Sequence, residues 1–410
     1  MFVCYRPPVL LLSLAAVTFC SASSIWLDGE NPGILPECEE CIPQADILAP
    51  GIGFDITDSY GTAAVRYHNG SVANLARVDG DKDFQALMKK LAAGPPALDC
   101  SGSLSKWQEF LCWKSRLQRR LNKSRGLPAT PDVGTLAKLF ENLRLAVDNK
   151  LGEGACTRAL FTLFPKLPGL AYEDFLDAVE YAGLDRIESP YSQDHISEVS
   201  AASGAMGFGI CRNYTDVYRC FDEEFNMPYE QILFLSFTNA SFTAINTYLS
   251  YAFYPNPTSS QLRWDLGRAS FPENDQEAQR IYWRHIRDTI VKAGLEGIEL
   301  PSALLIVGDH AADPMFQKTL NEALQDIFPK QKDVDRLRQS SEKGPQDVVE
   351  ASSLDFSFLG ARGAALFAKR SLEAPKFCWE PPECNANRRQ PSLTASGEAH
   401  GEQIVLKGSL

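Results

Sequence analysis

The chain has 410 residues, long enough to bury a large core and to fold as two lobes or domains. Its 44% apolar content excludes a mainly disordered protein. A formal net charge of −12 argues against a general nucleic-acid role, which needs a basic face.

The first predicted element is a targeting signal over residues 1–23. Arg6 precedes the apolar run 9–19, and the small residues Ser21, Ala22 and Ser23 follow, the pattern of a secretory signal peptide. That run is too short to cross a bilayer as a helix, and polar residues interrupt every later apolar stretch. The expected location is therefore extracellular or the lumen of the secretory pathway, with no membrane span after signal removal. Residues 24–48 read as a Cys-bearing lead-in. Beyond the signal peptide there are nine cysteines, at 38, 41, 100, 112, 156, 211, 220, 378 and 384. Short spacing makes Cys100–Cys112, Cys211–Cys220 and Cys378–Cys384 the expected disulfides, although spacing alone leaves connectivity open. The odd count leaves a thiol over, with Cys156 the candidate. Cys38 and Cys41 have redox-motif spacing but no following helix pattern to activate a thiolate. Sequons at Asn69, Asn122, Asn213 and Asn239 are expected glycosylation sites.

Residues 49–80 predict a strand–turn–strand unit. Ile52, Phe54, Ala63, Val65 and Tyr67 supply the strands, with turn signals at Gly61 and at Asn69-Gly70. Asp55 lies at the mouth of the first turn, where backbone amides can face a phosphate or a hydrated metal. Helices over 83–123 break at Gly94, Pro95 and Pro96. The segment 105–123 combines apolar Trp107, Phe110, Leu111 and Leu117 with a basic run from Lys114 to Arg125, expected to form a solvated basic face. Helical spacing of Leu136, Leu139, Phe140, Leu143 and Val147 predicts a helix over 133–151, and others follow at 172–183 and 198–209. The period then changes. Residues 232–237 and 241–249 read as strands around a turn at 238–240. Residues 255–275 are loop-rich. A helix over 275–293, a strand over 302–308, a helix over 314–328, a charged mobile loop over 329–350 and a helix over 361–369 follow. The end, 376–410, reads as a disordered tail.

Five segments in order resemble the ATPase domain of the heat-shock-70 family and its actin-like relatives. They are the hairpin at 51–70, the stretch 178–187 with its Ala182-Gly183-Leu184, the helix start at Glu198, the hairpin at 233–245, and the turn at 305–314 with the Ala-rich helix from Ala361. The resemblance implies a two-lobed, duplicated α/β fold of the actin-like ATPase (ribonuclease H-like) type. It places a first lobe at 49–228 and a second at 229–375, without a substrate-binding domain. It also implies roles: Asp55 as the residue holding a metal through water, Glu198 as the catalytic, water-positioning acid, and Asp55, Ser59, Tyr60 and Gly308 as nucleotide contacts. The cofactor would be ATP with magnesium.

The loops depart from the family where phosphate would bind. Thr57, Asp58 and Ser59 stand where the family has Gly-Thr-Thr, and a glycine there lets the backbone approach phosphate at positive φ. In the second loop, Ser236 through Ser241 replace an aspartate and three glycines. Asp309 replaces the second glycine of the adenosine turn. The departures predict no working cofactor and a non-catalytic binding module with an unidentified protein or small-molecule partner. The alternative is a weakly active ATPase using Asp55 and Glu198.

Overall fold

The computed structural model describes residues 35–95, 97–98, 100, 104–163, 167–187, 196–253, 255–342 and 355–388. The predicted signal peptide lies outside them. In chain order, a short α1 (Gln44–Leu48) leads into a meander of β1 (Gly51–Ile56), β2 (Tyr60–Arg66) and β3 (Val72–Asp79). Helices α2 (Lys82–Ala93), α3 (Lys106–Ser124) and α4 (Pro131–Leu151) follow, then β4 (Arg158–Leu163), α5 (Tyr172–Tyr181), β5 (Asp185–Arg186), β6 (Ile196–Ser197), α6 (Glu198–Ala205) and α7 (Val217–Phe225). A second meander consists of β7 (Glu230–Phe237), β8 (Phe242–Leu249) and β9 (Asn256–Arg263). The chain continues through α8 (Gln276–Leu295), β10 (Ala303–Val307), α9 (Pro314–Ile327), α10 (Gln331–Glu342), α11 (Leu359–Glu373) and α12 (Asn385–Arg388).

The protein is mixed α/β with two mixed sheets. The first sheet runs β3-β2-β1-β4-β5, with β6 beside β4, and the second runs β10-β7-β8-β9. In both, three antiparallel strands are joined by a later strand that pairs in parallel with the first of the three. Alternation divides each strand between two layers. Ile52, Phe54 and Ile56 enter one core with α2, α4 and α5, while Leu233, Leu235 and Phe237 enter another with α8, α9 and α10. The opposite faces meet α11 and α6. On β1 that face is Gly51, Gly53 and Asp55. A Cβ on Gly53 would fall 2.0 Å from the Ala365 backbone nitrogen, so glycine is what lets α11 lie flush on the strand. On β7 the matching face carries Ile232 and Phe234, packed with Val199 and Ala202 of α6.

Several expectations are corrected. The loop-rich stretch contains β9, whose polar sequence lacks the alternation of a half-buried strand but which pairs antiparallel with β8 across an irregularity at Asn246/Thr247. Of the charged segment 329–350 expected to be a loop, 331–342 form α10, which buries Val334 and Leu337 against the second core, while 343–350 lie outside the described residues. Strand β4 and helix α7 carried too short a pattern to be anticipated. The Cys378–Cys384 pairing is wrong: Cys38 bonds Cys378 and Cys41 bonds Cys384, whereas Cys100–Cys112 and Cys211–Cys220 form as expected. Residues 376–388 are accordingly an ordered strap, with Trp379 exchanging backbone hydrogen bonds with Pro36 and Cys38 at 3.0 Å each. Closing a loop 340 residues long removes about 6 kcal/mol of unfolded-chain entropy. The second bridge then closes only a small ring and adds less. The Cys38/Cys41 spacing is thus structural. Cys156 is free and buried, and burial pushes its thiol up to about 12, which leaves it inert.

Candidate functional site

The predicted site residues converge where the turn after β1 meets the turn after β7. Each turn is built on a threonine. The Thr57 N–H donates to the Tyr60 carbonyl at 2.9 Å, and the Thr57 hydroxyl accepts the amides of Ser59 and Tyr60 at 3.2 and 3.0 Å. In the second turn the Thr238 N–H donates to the Ser241 carbonyl at 3.0 Å, and the Thr238 hydroxyl accepts the Ser241 amide at 3.0 Å. A side-chain oxygen that captures nearby amides is the usual use of threonine in turns. Here it holds the amides of Ser59, Tyr60 and Ser241 within their own turns.

The two turns are bonded to each other. Asp58 accepts hydroxyl protons from Ser59 at 2.8 Å, Thr238 at 2.8 Å and Ser241 at 2.5 Å. The Ala240 amide donates to the Ser59 hydroxyl at 3.2 Å. Beside this junction Arg77 of β3 bonds Asp309, just after β10, at 2.9 Å, and lies over the Tyr60 ring at 4.4 Å. The first turn, with Thr238 and Ser241 of the second, is shielded from water, while Asn239 and Ala240 are half-buried. Burial raises the Asp58 carboxyl above its ordinary range; the three hydroxyl donors oppose that shift and Asp309 adds to it.

Asp55 lies one layer deeper. It accepts the Thr162 hydroxyl, and Gly360 at the start of α11 packs so closely that a Cβ there would fall 2.2 Å from Oδ2. Burial pushes Asp55 up to about 6. Glu198, at the first position of α6, is driven well above the usual carboxylate range by burial, then by Asp55 and Asp58. Tyr60 is buried, and Ser59 belongs to the junction itself. Gly308 has φ +107° and sits against Phe237, whose carbonyl oxygen lies 2.2 Å from where a Cβ would stand, so its glycine is accounted for by backbone packing.

No protein-family model matches this chain, and no curated protein matches it. Asp55, Ser59, Tyr60, Glu198 and Gly308, together with Asp58, lie in the region where the two turns, α6 and α11 meet. Thr162, Arg77 and Gly360 were missed. Their partners are remote in sequence, and no local pattern marks them. Cys211, Cys220 and Glu224 come within metal-ligand distance of one another, but the two sulfurs are joined as a disulfide and offer no thiolates.

The sequons differ in setting. Asn69 is exposed in the β2–β3 turn, and its Oδ1 accepts the Ser71 amide at 3.0 Å. Asn213 is exposed, with Nδ2 donating to Glu223 at 2.5 Å. Asn122 is half-buried in α3 and donates to the Ala129 carbonyl at 3.0 Å. Asn239 is half-buried in the second turn.

Proposed function

We propose that this chain is a non-catalytic binding module of the secretory pathway or extracellular space, built on a two-lobed, duplicated heat-shock-70-like, actin-like scaffold. The repeated strand order of the two sheets supports the scaffold, and the four disulfides among the described residues support the compartment. One observation carries the functional part: Asp58 of the first turn takes the hydroxyls of Thr238 and Ser241 from the second.

Magnesium-ATP does not fit these residues. A polyphosphate needs free amides and positive charge. The turn amides of Ser59, Tyr60 and Ser241 are held by threonine hydroxyls and that of Ala240 by Ser59, while Asp55, Asp58, Glu198 and Asp309 gather around the turns and Arg77 beside them is already paired with Asp309. No phosphoryl-transfer step is derived for this chain. Its partner is an unidentified protein or small molecule.

Calorimetric titration of the purified protein with magnesium-ATP tests this reading. No saturable heat is expected at millimolar nucleotide. Micromolar binding that disappears in Asp55→Ala would instead favour a weakly active ATPase using Asp55 and Glu198.

A further inference from the structure

Helix α3 is turned the wrong way round for a helix that merely covers a core. A capping box between Ser105 and Gln108 fixes its start, and along its length only Cys112 is buried. The side facing the protein is polar. Arg119 bonds Asp174 and Asp177 at 2.5 Å each, Lys123 bonds Asp177 at 2.5 Å and Glu180 at 2.7 Å, and Cys112 is tied to Cys100. The basic face expected to be solvated is therefore partly consumed by α5. The apolar face looks outward: Trp107, Phe110, Leu111, Trp113, Leu117 and Leu121 recur at three- and four-residue spacing and are all exposed, the two tryptophans by 67% and 60%. Trp107 stacks on Phe110 at 5.6 Å, and Phe110 on Trp113 at 6.0 Å. A contiguous apolar surface of this kind on a folded protein marks a docking site.

We propose that α3 is an interfacial helix that seats the protein on an anionic phospholipid surface. The charges select that occupant. Lys114 follows Phe110 by four residues and precedes Leu117 by three, so an ammonium stands within the apolar stripe, with Lys106 and Arg120 also exposed along the helix. In a protein groove that ammonium would be desolvated without a partner. At a bilayer surface its stem lies with the apolar side chains while the charge reaches lipid phosphates. Tryptophan and phenylalanine suit the same headgroup boundary. A second copy is disfavoured, because two such faces would bring Lys106, Lys114 and Arg120 against their own kind. The formal net charge of −12 opposes approach to an anionic surface, so the attraction must come locally from the cationic residues of this helix. This inference is independent of the junction between the turns.

The test is vesicle flotation of the full disulfide-bonded protein with phosphatidylcholine alone or with about a third phosphatidylserine. Expected is co-flotation with the anionic vesicles only, weakened by added salt and accompanied by a blue shift of tryptophan emission. Trp107→Ala with Trp113→Ala, and separately Lys114→Glu with Arg120→Glu, should each reduce the vesicle-bound fraction about tenfold or more. All four side chains are exposed, so the thermal midpoint of each variant should match that of the parent, separating lost binding from misfolding. The proposal is overturned if the parent protein floats with neither vesicle, or binds anionic vesicles equally well without the two tryptophans. Self-association through this face, or capture of an acidic protein by it without vesicle binding, also overturns it.

Discussion

The turns Thr57–Tyr60 and Thr238–Ser241 share one hydrogen-bond frame and differ in what they carry on it. In each, the leading threonine donates its N–H to the carbonyl three residues on and receives that residue's amide on its hydroxyl. The first turn then presents a carboxylate, Asp58, where the second has Asn239. Two residues before each threonine, the first strand has Asp55 and the second has Ser236. One turn is thus an acceptor and the other a donor, and the two satisfy each other. Equivalent scaffolds with complementary side chains make a latch, whereas two amide-presenting turns would leave a place for an anion.

Removing the acceptor should have the largest effect. Asp58→Ala leaves three buried hydroxyls without their acceptor, and a loss of about 3 kcal/mol is expected from urea unfolding. A value near zero would mean that the latch contributes nothing.

Cutting the two threonines sharpens the comparison. Thr57→Val removes a hydroxyl that serves only its own turn, at a cost of about 1 to 2 kcal/mol. Thr238→Val also strips Asp58 of a donor, so it should cost about 1 kcal/mol more. Equal costs would show that the bond between the turns is energetically idle.

The acid behind the first turn gives a pH signature that the serine behind the second cannot. The Asp55 pKa is raised on folding from 3.8 to about 6, so the folded state binds more protons within that window. Stability should therefore fall as pH rises from about 4 to about 6, and the raised Asp58 and Glu198 carboxyls add to the same downward slope. Asp55→Asn, which still accepts the Thr162 hydroxyl, should flatten that part of the profile and raise the melting temperature at pH 7. A parent-like profile would contradict the assignment.

The smallest effect is expected where the turns are made alike. Asn239→Asp puts a second, half-exposed carboxylate near Asp58 and should cost no more than about 1 kcal/mol, shrinking as salt is added.

Much of this was legible in the chain itself. Apolar and β-forming residues in 52–56 and 232–237 marked the two leading strands, helical spacing marked α4 and α8, and the resemblance grouped Asp55, Glu198 and Gly308 as candidates. The third strands were harder: β9 is polar along most of its length and is held by its partner's backbone more than by its own side chains. The Cys378–Cys384 expectation failed because nearness in sequence is a poor guide when a tail folds back beside the start of the domain.

Sequence by itself determined the two hairpins and the absence of glycine from the turns 57–60 and 238–241, since backbone freedom and charge belong to residues one at a time. Tertiary structure alone decided that Asp58 would find hydroxyls 180 and 183 residues away, that Arg77 would meet Asp309, and that α3 would turn its tryptophans outward. A periodic pattern states which side chains share a face, but only the neighbours present on each side decide which face water keeps.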